Sequence, residues 1–261
     1  MSAEQDQRAP PPLPPDSIYT PCYCEENVYL LAQAFASNAE ADADWPWQAF
    51  VVFVSNHGKT VALWSQKARE GVVVWDYHVI LVLRRRVQRA EQDPTHREDG
   101  QQRTEMAEDG WVYDYDTRLS VPSQWTEYVA NTFPYVFDAT FVVPPEYQSL
   151  FRVIPAEAYL DYFASDRSHM LKDASDPAPC YSSPPPTYAA LRGKRARELG
   201  ITNNLMDAYV VMVLNEQPSL EPGTPGAHAA AERIHPYGEV MSISRFLCWL
   251  GGDAWAGENA Q

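Results

Sequence analysis

Long apolar runs, a basic balance and bridgeable cysteine pairs are all missing from this chain of 261 residues. No uninterrupted apolar segment nears the roughly 20 residues that cross a bilayer, so no membrane partner is expected. Lysine and arginine number 20 against 35 aspartates and glutamates, a net charge of −15. Such a surface repels phosphate backbones, which argues against a nucleic-acid partner. Cysteine is scarce: Cys22, Cys24, Cys180 and Cys248 are the full set. Cys22 and Cys24 stand too close in sequence to bridge without strain. Their spacing also lacks the two-residue gap of a zinc site, and no second Cys/His pair is closely spaced, so no metal is expected. The segment from Met1 to Pro15 is polar and proline-rich, unlike a secretory signal. Together these point to a reducing compartment: the cytoplasm, with the nucleus also open to it. No internal repeat is found.

What the chain does contain is apolar and aromatic side chains, 45% apolar with eight Trp and fifteen Tyr, the composition of a folded protein. Residues 1–18 form a polyproline-type tail that is expected to stay disordered. Residues 19–255 are expected to make one domain, with a polar insert at about 84–110 that reads as an extended hairpin loop. Val28, Leu31, Ala32 and Phe35 fall on one helical stripe, which predicts a helix over 24–37. Strands are predicted at 49–54, at 60–64 as the return of a hairpin, over a long run 72–83, at 111–116 and at 151–154. A short helix is predicted over 155–163, and a strand end with a short apolar helix over 238–250. A leading helix followed by a mostly antiparallel sheet is an α+β plan.

Three polar positions interrupt this pattern. Cys24 opens the predicted helix at the inward end of its stripe, where the backbone dipole favours thiolate, although Glu25 and Glu26 oppose this and are expected to face solvent. His78 lies in an apolar strand, and Asp114 and Asp116 share a face of another. Each has an ordinary reading: a buried structural cysteine, a core histidine satisfied by backbone, a pair of strand-end acids. Taken together they are the residue set and chain order of a Cys-His-Asp acyl-transfer site, with Asp114 or Asp116 as the third member.

The motifs carrying these residues are Cys22-Tyr23-Cys24-Glu25-Glu26-Asn27, Val74-Trp75-Asp76-Tyr77-His78-Val79 and Tyr113-Asp114-Tyr115-Asp116-Thr117. With Phe151-Arg152-Val153-Ile154, the run from Phe163 to Met170, and Pro184-Pro185-Pro186, they resemble the protein N-terminal glutamine amidohydrolase family. The resemblance spans roughly residues 19–188, with a weaker match near 238–250. It implies a papain/transglutaminase-like cysteine hydrolase without cofactor or metal. It also implies Cys24 as nucleophile, His78 as base and Asp114 as the acid that orients His78 through Nδ1–H. The implied reaction is deamidation of an N-terminal glutamine through a thioester, on proteins or peptides with a free amino terminus, feeding an N-degron pathway. A monomer is expected. Backbone N–H groups at the helix start would hold the oxyanion, with Gln66 as a further donor to substrate. Asp166 is the candidate partner of the substrate α-ammonium, unless it caps its own turn or pairs with Arg167. Two other readings stay open: a transglutaminase-like acyl-transfer enzyme, and a non-catalytic module that binds N-termini.

Overall fold

The strand 49–54 is apolar at every position, which a strand tolerates only when both of its faces are buried. The computed structural model, which describes residues 9–85, 110–173, 180–214 and 236–258, accounts for this directly. Helix α1 (Cys24–Ala41) leads into β1 (Trp47–Ser55), which lies inside a six-stranded sheet. Its order is β6 (Ser123–Gln124), β5 (Gly110–Tyr113), β4 (His78–Arg85), β1, β7 (Leu150–Pro155), β8 (Glu239–Ser242). Every pairing in it is antiparallel. The expected α+β class, with a leading helix on a mostly antiparallel sheet, is what the chain forms.

Strand alternation divides the core in two. Val51, Phe53, Val79, Leu81 and Leu83 face α1 and α3 (Ala156–Tyr162), where they meet Val28, Leu31, Phe35 and Tyr159. Phe50, Val52, Val54, Ile80 and Val82 face the other way. There they meet Trp125 and Tyr128 of α2 (Trp125–Thr132) and Phe246 and Leu247 of the closing helix (Ile243–Glu258). Each of these large side chains contributes about 1.5–3 kcal/mol by leaving water.

Several local expectations are corrected. Residues 60–64 do not return alongside β1. Both edges of β1 are taken by β4 and β7, so β2 (Val61–Leu63) pairs instead with β3 (Val73–Trp75) in a separate ribbon. Asn56 steers the chain away: its amide donates to the carbonyls of Thr60 and Glu146, each at 2.7 Å, and its Oδ1 accepts from Gly58 and Thr60 N–H. The long strand 72–83 is broken at Asp76–Tyr77. There Ser55 Oγ donates to the Asp76 carbonyl at 2.6 Å, and Asp76 Oδ1 accepts from Tyr77 N–H at 2.9 Å. Of the tail 1–18, residues 9–18 are described, and two of them touch the core. The buried hydroxyl of Tyr113 needs an acceptor and finds the Pro11 carbonyl at 2.5 Å, while Leu13 packs on the α1 side of the core. The insert at 84–110 is described only at its ends, where Arg84 pairs with Gly110; residues 86–109 lie outside the described residues. So do 174–179 and 215–235, which hold most of the Pro- and Ser-rich loops.

Glu25 and Glu26 are also not on the surface: both are fully buried. Glu26 is gripped by Arg167, whose Nε and Nη2 each donate to one carboxylate oxygen at 2.8 Å. Arg167 stands in a left-handed turn (φ 62°), donates its remaining nitrogen to the Pro186 carbonyl at 3.2 Å, and lies over the Tyr188 ring at 5.2 Å. The pair therefore fastens the start of α1 to the 165–170 turn and to the proline loop. Replacing Glu26 with Gln leaves a buried guanidinium without its counter-charge. Chemical denaturation should show a loss of about 3–5 kcal/mol; a loss within about 0.5 kcal/mol, the ordinary range for a surface change, would deny the clamp this role.

Candidate active site

Asn27 fixes the turn that presents Cys24. Its Oδ1 accepts from Thr20 N–H at 2.8 Å and its Nδ2 donates to the Thr20 carbonyl at 2.9 Å, so the chain folds sharply into α1. Cys22 takes the left-handed conformation in this turn (φ 67°) and is exposed. Cys24 is half-buried at the first position of α1. Packing of α1 across β4 brings its sulfur to the backbone N–H of Val79, which donates to it. The thiol is nevertheless pushed well up, first by burial, then by the charges of Glu25 and Asp116. The expected thiolate is therefore not the resting form. Burial outweighs the helix dipole, and Glu25, expected in solvent, adds to it from inside with Oε2 3.8 Å from the sulfur.

His78 opens β4, buried, with its ring stacked on Trp75 at 5.4 Å and 20°. Its Nε2 donates to Asp114 Oδ1 at 2.8 Å. Nδ1 has no hydrogen-bond partner among the described residues. This reverses the expected tautomer, in which Nδ1–H was to meet the acid. The sheet register explains it: Leu81 pairs with Tyr113, so Asp114 sits just past the end of β5, two residues along β4 from His78, and only the far ring nitrogen reaches it. Burial pushes the His78 imidazolium down, but the Asp114 charge and hydrogen bond, helped by Asp116, leave it above its ordinary value.

Asp114 is fully buried. Burial raises its carboxyl; His78, the Asp116 N–H at 2.8 Å and the Tyr128 hydroxyl at 2.8 Å outweigh this and hold it below the usual carboxylate range. Asp116, the competing acid, turns to the side: it accepts from Tyr19 Oη at 2.6 Å and gives Asp114 only its backbone N–H. Gln66 is brought to the same acid, donating to Asp114 Oδ2 at 3.4 Å.

Cys24 and His78 line one cavity of about 210 Å³, with Trp75, Tyr77, Asp116 and His169. That is smaller than a typical small-molecule pocket and suits one side chain. Gln66 and Asp166 do not line it. Asp166 is exposed and caps its own turn, accepting from Ser168 N–H at 2.9 Å and Asn203 Nδ2 at 2.8 Å. His78, Asp114 and Asp116 offer donor atoms within 4.8 Å of one another, a set that could hold a cation, though Nε2 already serves Asp114. Sequence reasoning missed His169, although it sits in a motif singled out beforehand; nothing in its neighbours' periodicity showed that it would turn inward.

Comparison with known proteins agrees with these motifs. A family model described as N-terminal glutamine amidase matches residues 19–248. The chain belongs to this family. It is 35% identical over 209 residues to the Protein N-terminal glutamine amidohydrolase of Arabidopsis thaliana, a match covering 79% of this chain and 80% of the relative. It is 36% identical over 176 residues to the protein of that name in Drosophila erecta, covering 66% and 71% of the two chains. The Bos taurus member is 35% identical over 176 residues, covering 67% and 70%.

The His78–Asp114 geometry has a measurable consequence. Replacing Asp114 with Asn removes the charge that raises the imidazolium, so the His78 titration midpoint followed by NMR should fall. A midpoint that stays where it is would mean that Asp114 does not set the protonation of His78.

Proposed function

We propose that this protein hydrolyses the side-chain carboxamide of an N-terminal glutamine, leaving glutamate and releasing ammonia. Membership of the amidase family carries the proposal, because the matched residues include a cysteine and an imidazole on one side-chain-sized cavity. Cys24 is the nucleophile. A carboxamide is a poor electrophile, and the thiol is held protonated at rest, so proton transfer must accompany attack. His78 Nδ1, the ring nitrogen left open, takes the thiol proton while Nε2–H stays on Asp114. Sulfur adds to the carboxamide carbon. The oxyanion is met by the N–H groups of Cys24 and Glu25, since those of Glu26 and Asn27 already donate to the Tyr23 carbonyl. His78 then protonates the departing amine, and ammonia leaves a thioester. Water, deprotonated by His78, adds to the thioester and returns the thiol with a glutamate side chain.

Asp114 holds the imidazole and stabilises its charged form; Gln66 and Tyr128 hold Asp114, which makes Gln66 a positioning residue rather than a substrate donor. The helix-borne cysteine followed by His78 and Asp114 from neighbouring antiparallel strands supports a papain/transglutaminase-like assignment of the fold. The substrates are proteins or peptides with a free N-terminal glutamine, and residues 19–255 act as one catalytic domain.

Cys24→Ser should abolish ammonia release while Cys22→Ser keeps most of it, since only Cys24 begins the packed helix. Equal loss in two folded variants would point to a paired-cysteine role instead. Mass spectrometry of peptide products supplies the second check. A Gln-initiated peptide should be deamidated without chain cleavage or cross-linking to added amine. An Asn-initiated one should react roughly a hundredfold more slowly, its carboxamide standing about 1 Å short of the sulfur. Cross-linked amine would favour the transglutaminase-like reading, and no conversion at all would favour a binding module.

A further inference from the structure

A second carboxylate–imidazole pair lies beside the sulfur, and the reaction above leaves it unused. Glu25 is fully buried, with Oε2 accepting from the Tyr77 hydroxyl at 3.0 Å. Burial and Glu25 push the Tyr77 phenol well up, so it keeps the proton it donates. The same hydroxyl lies 3.3 Å from His169 Nε2 and, having given its proton to Glu25, accepts from Nε2–H. Nδ1 of His169 is then an acceptor, and it has no partner among the described residues. Glu25 Oε1 also lacks a hydrogen bond among them; His169 Nε2 lies 3.4 Å away but is poorly aligned for a bond. The His169 side chain is only 8% exposed, yet it lines the cavity with Cys24. Two unmet acceptors and a buried negative charge call for a cation bearing several N–H donors.

We infer that the Glu25–Tyr77–His169 cluster is the recognition site for the α-ammonium group of the substrate, an assignment that rests on the proposed deamidation of N-terminal glutamine. The reach is right. The α-nitrogen of glutamine stands about 4–5 Å from its carboxamide carbon, and Glu25 Oε2 is 3.8 Å from the sulfur that attacks that carbon. The other acids on the cavity fit less well. Asp76 is exposed, where an ion pair is worth little. Asp116 already accepts from Tyr19 and neighbours His78, so an ammonium there would face the imidazolium that forms during attack. Binding at Glu25 also has a chemical effect: the ammonium offsets the charge that opposes ionisation of Cys24. A free amino terminus would thus help to activate the nucleophile that acts on its own side chain.

The test uses the full chain and does not depend on turnover. Cys24 is alkylated with iodoacetamide in the presence of a norleucine-initiated peptide, which has the ammonium but no carboxamide, or of its acetylated form. The free-amine peptide should protect Cys24, because its side chain fills the cavity and bars the reagent from the sulfur even as the ammonium eases ionisation, and the acetylated one should need at least about tenfold more, the lower range for leaving buried acceptors unpaired. In His169→Leu that difference should vanish while Cys24 still alkylates in the absence of peptide; His169→Gln, which keeps an acceptor, should restore part of it. If His169→Leu does not fold, Glu25→Gln, which keeps volume and removes the charge, carries the same expectation. Equal protection by the two peptides in the unmodified protein, or an undiminished difference in His169→Leu, would overturn the assignment. Failure of the deamidation reading would show separately, as absence of ammonia from a Gln-initiated peptide.

Discussion

Two opposite charges, Glu26 and Arg167, are carried out of water at the point where the helix bearing Cys24 meets the turn bearing His169. Burial of this kind is tolerable only with near-complete pairing. The structure provides it, through two parallel bonds of 2.8 Å, a carbonyl acceptor at Pro186, and the rings of Tyr188 and Tyr23 beside the guanidinium. Without this clamp nothing else of comparable strength holds the 165–170 turn against the first turn of α1 among the described residues. The cavity wall would then be free to shift by the ångström or so that catalysis does not tolerate.

Around this fixed corner the sulfur stands between two imidazole–carboxylate pairs of different character. His78 and Asp114 belong to the sheet, and their 2.8 Å contact is fixed by strand register and by Tyr128. His169 and Glu25 belong to the turn and the helix, and meet through Tyr77, which itself lies at the break between β3 and β4. In the proposed reaction the first pair moves protons, and in the proposed recognition the second supplies charge and unmet acceptors. Burial, then the charges of Glu25 and Asp116, press on the thiol, which explains why a helix start does not by itself yield a thiolate here.

Much of the sheet was legible because its signal is periodic. The run 49–54 announced a strand, and the stripe from Val28 to Phe35 announced the helix that covers one of its faces. Cys24, His78 and Asp114 stood out as motifs, and the fold brings Cys24 and His78 to one cavity and His78 to Asp114. What escaped had no period. Glu25 and Glu26 look like solvent-facing acids because their partners, Arg167 and His169, are some 140 residues away in sequence. The ring nitrogen that meets Asp114 depends on strand register, and the diversion of β2 depends on which edges of β1 are already filled. Arg152 lies in the strand predicted at 151–154, with no role read for its side chain. It is a buried tie to the carbonyls of Tyr209, Val211 and Tyr237, groups that no local pattern links to it.

The central claim is that Cys24 becomes covalently acylated by the glutamine side chain. Mixing the protein with a Gln-initiated peptide, quenching in acid within one turnover and mapping the digest by mass spectrometry would detect that acyl group. The account predicts a peptide thioester on Cys24, with ammonia released in equal amount before any glutamate product appears. Ammonia release with no adduct on Cys24, or with the adduct on Cys22, would contradict it.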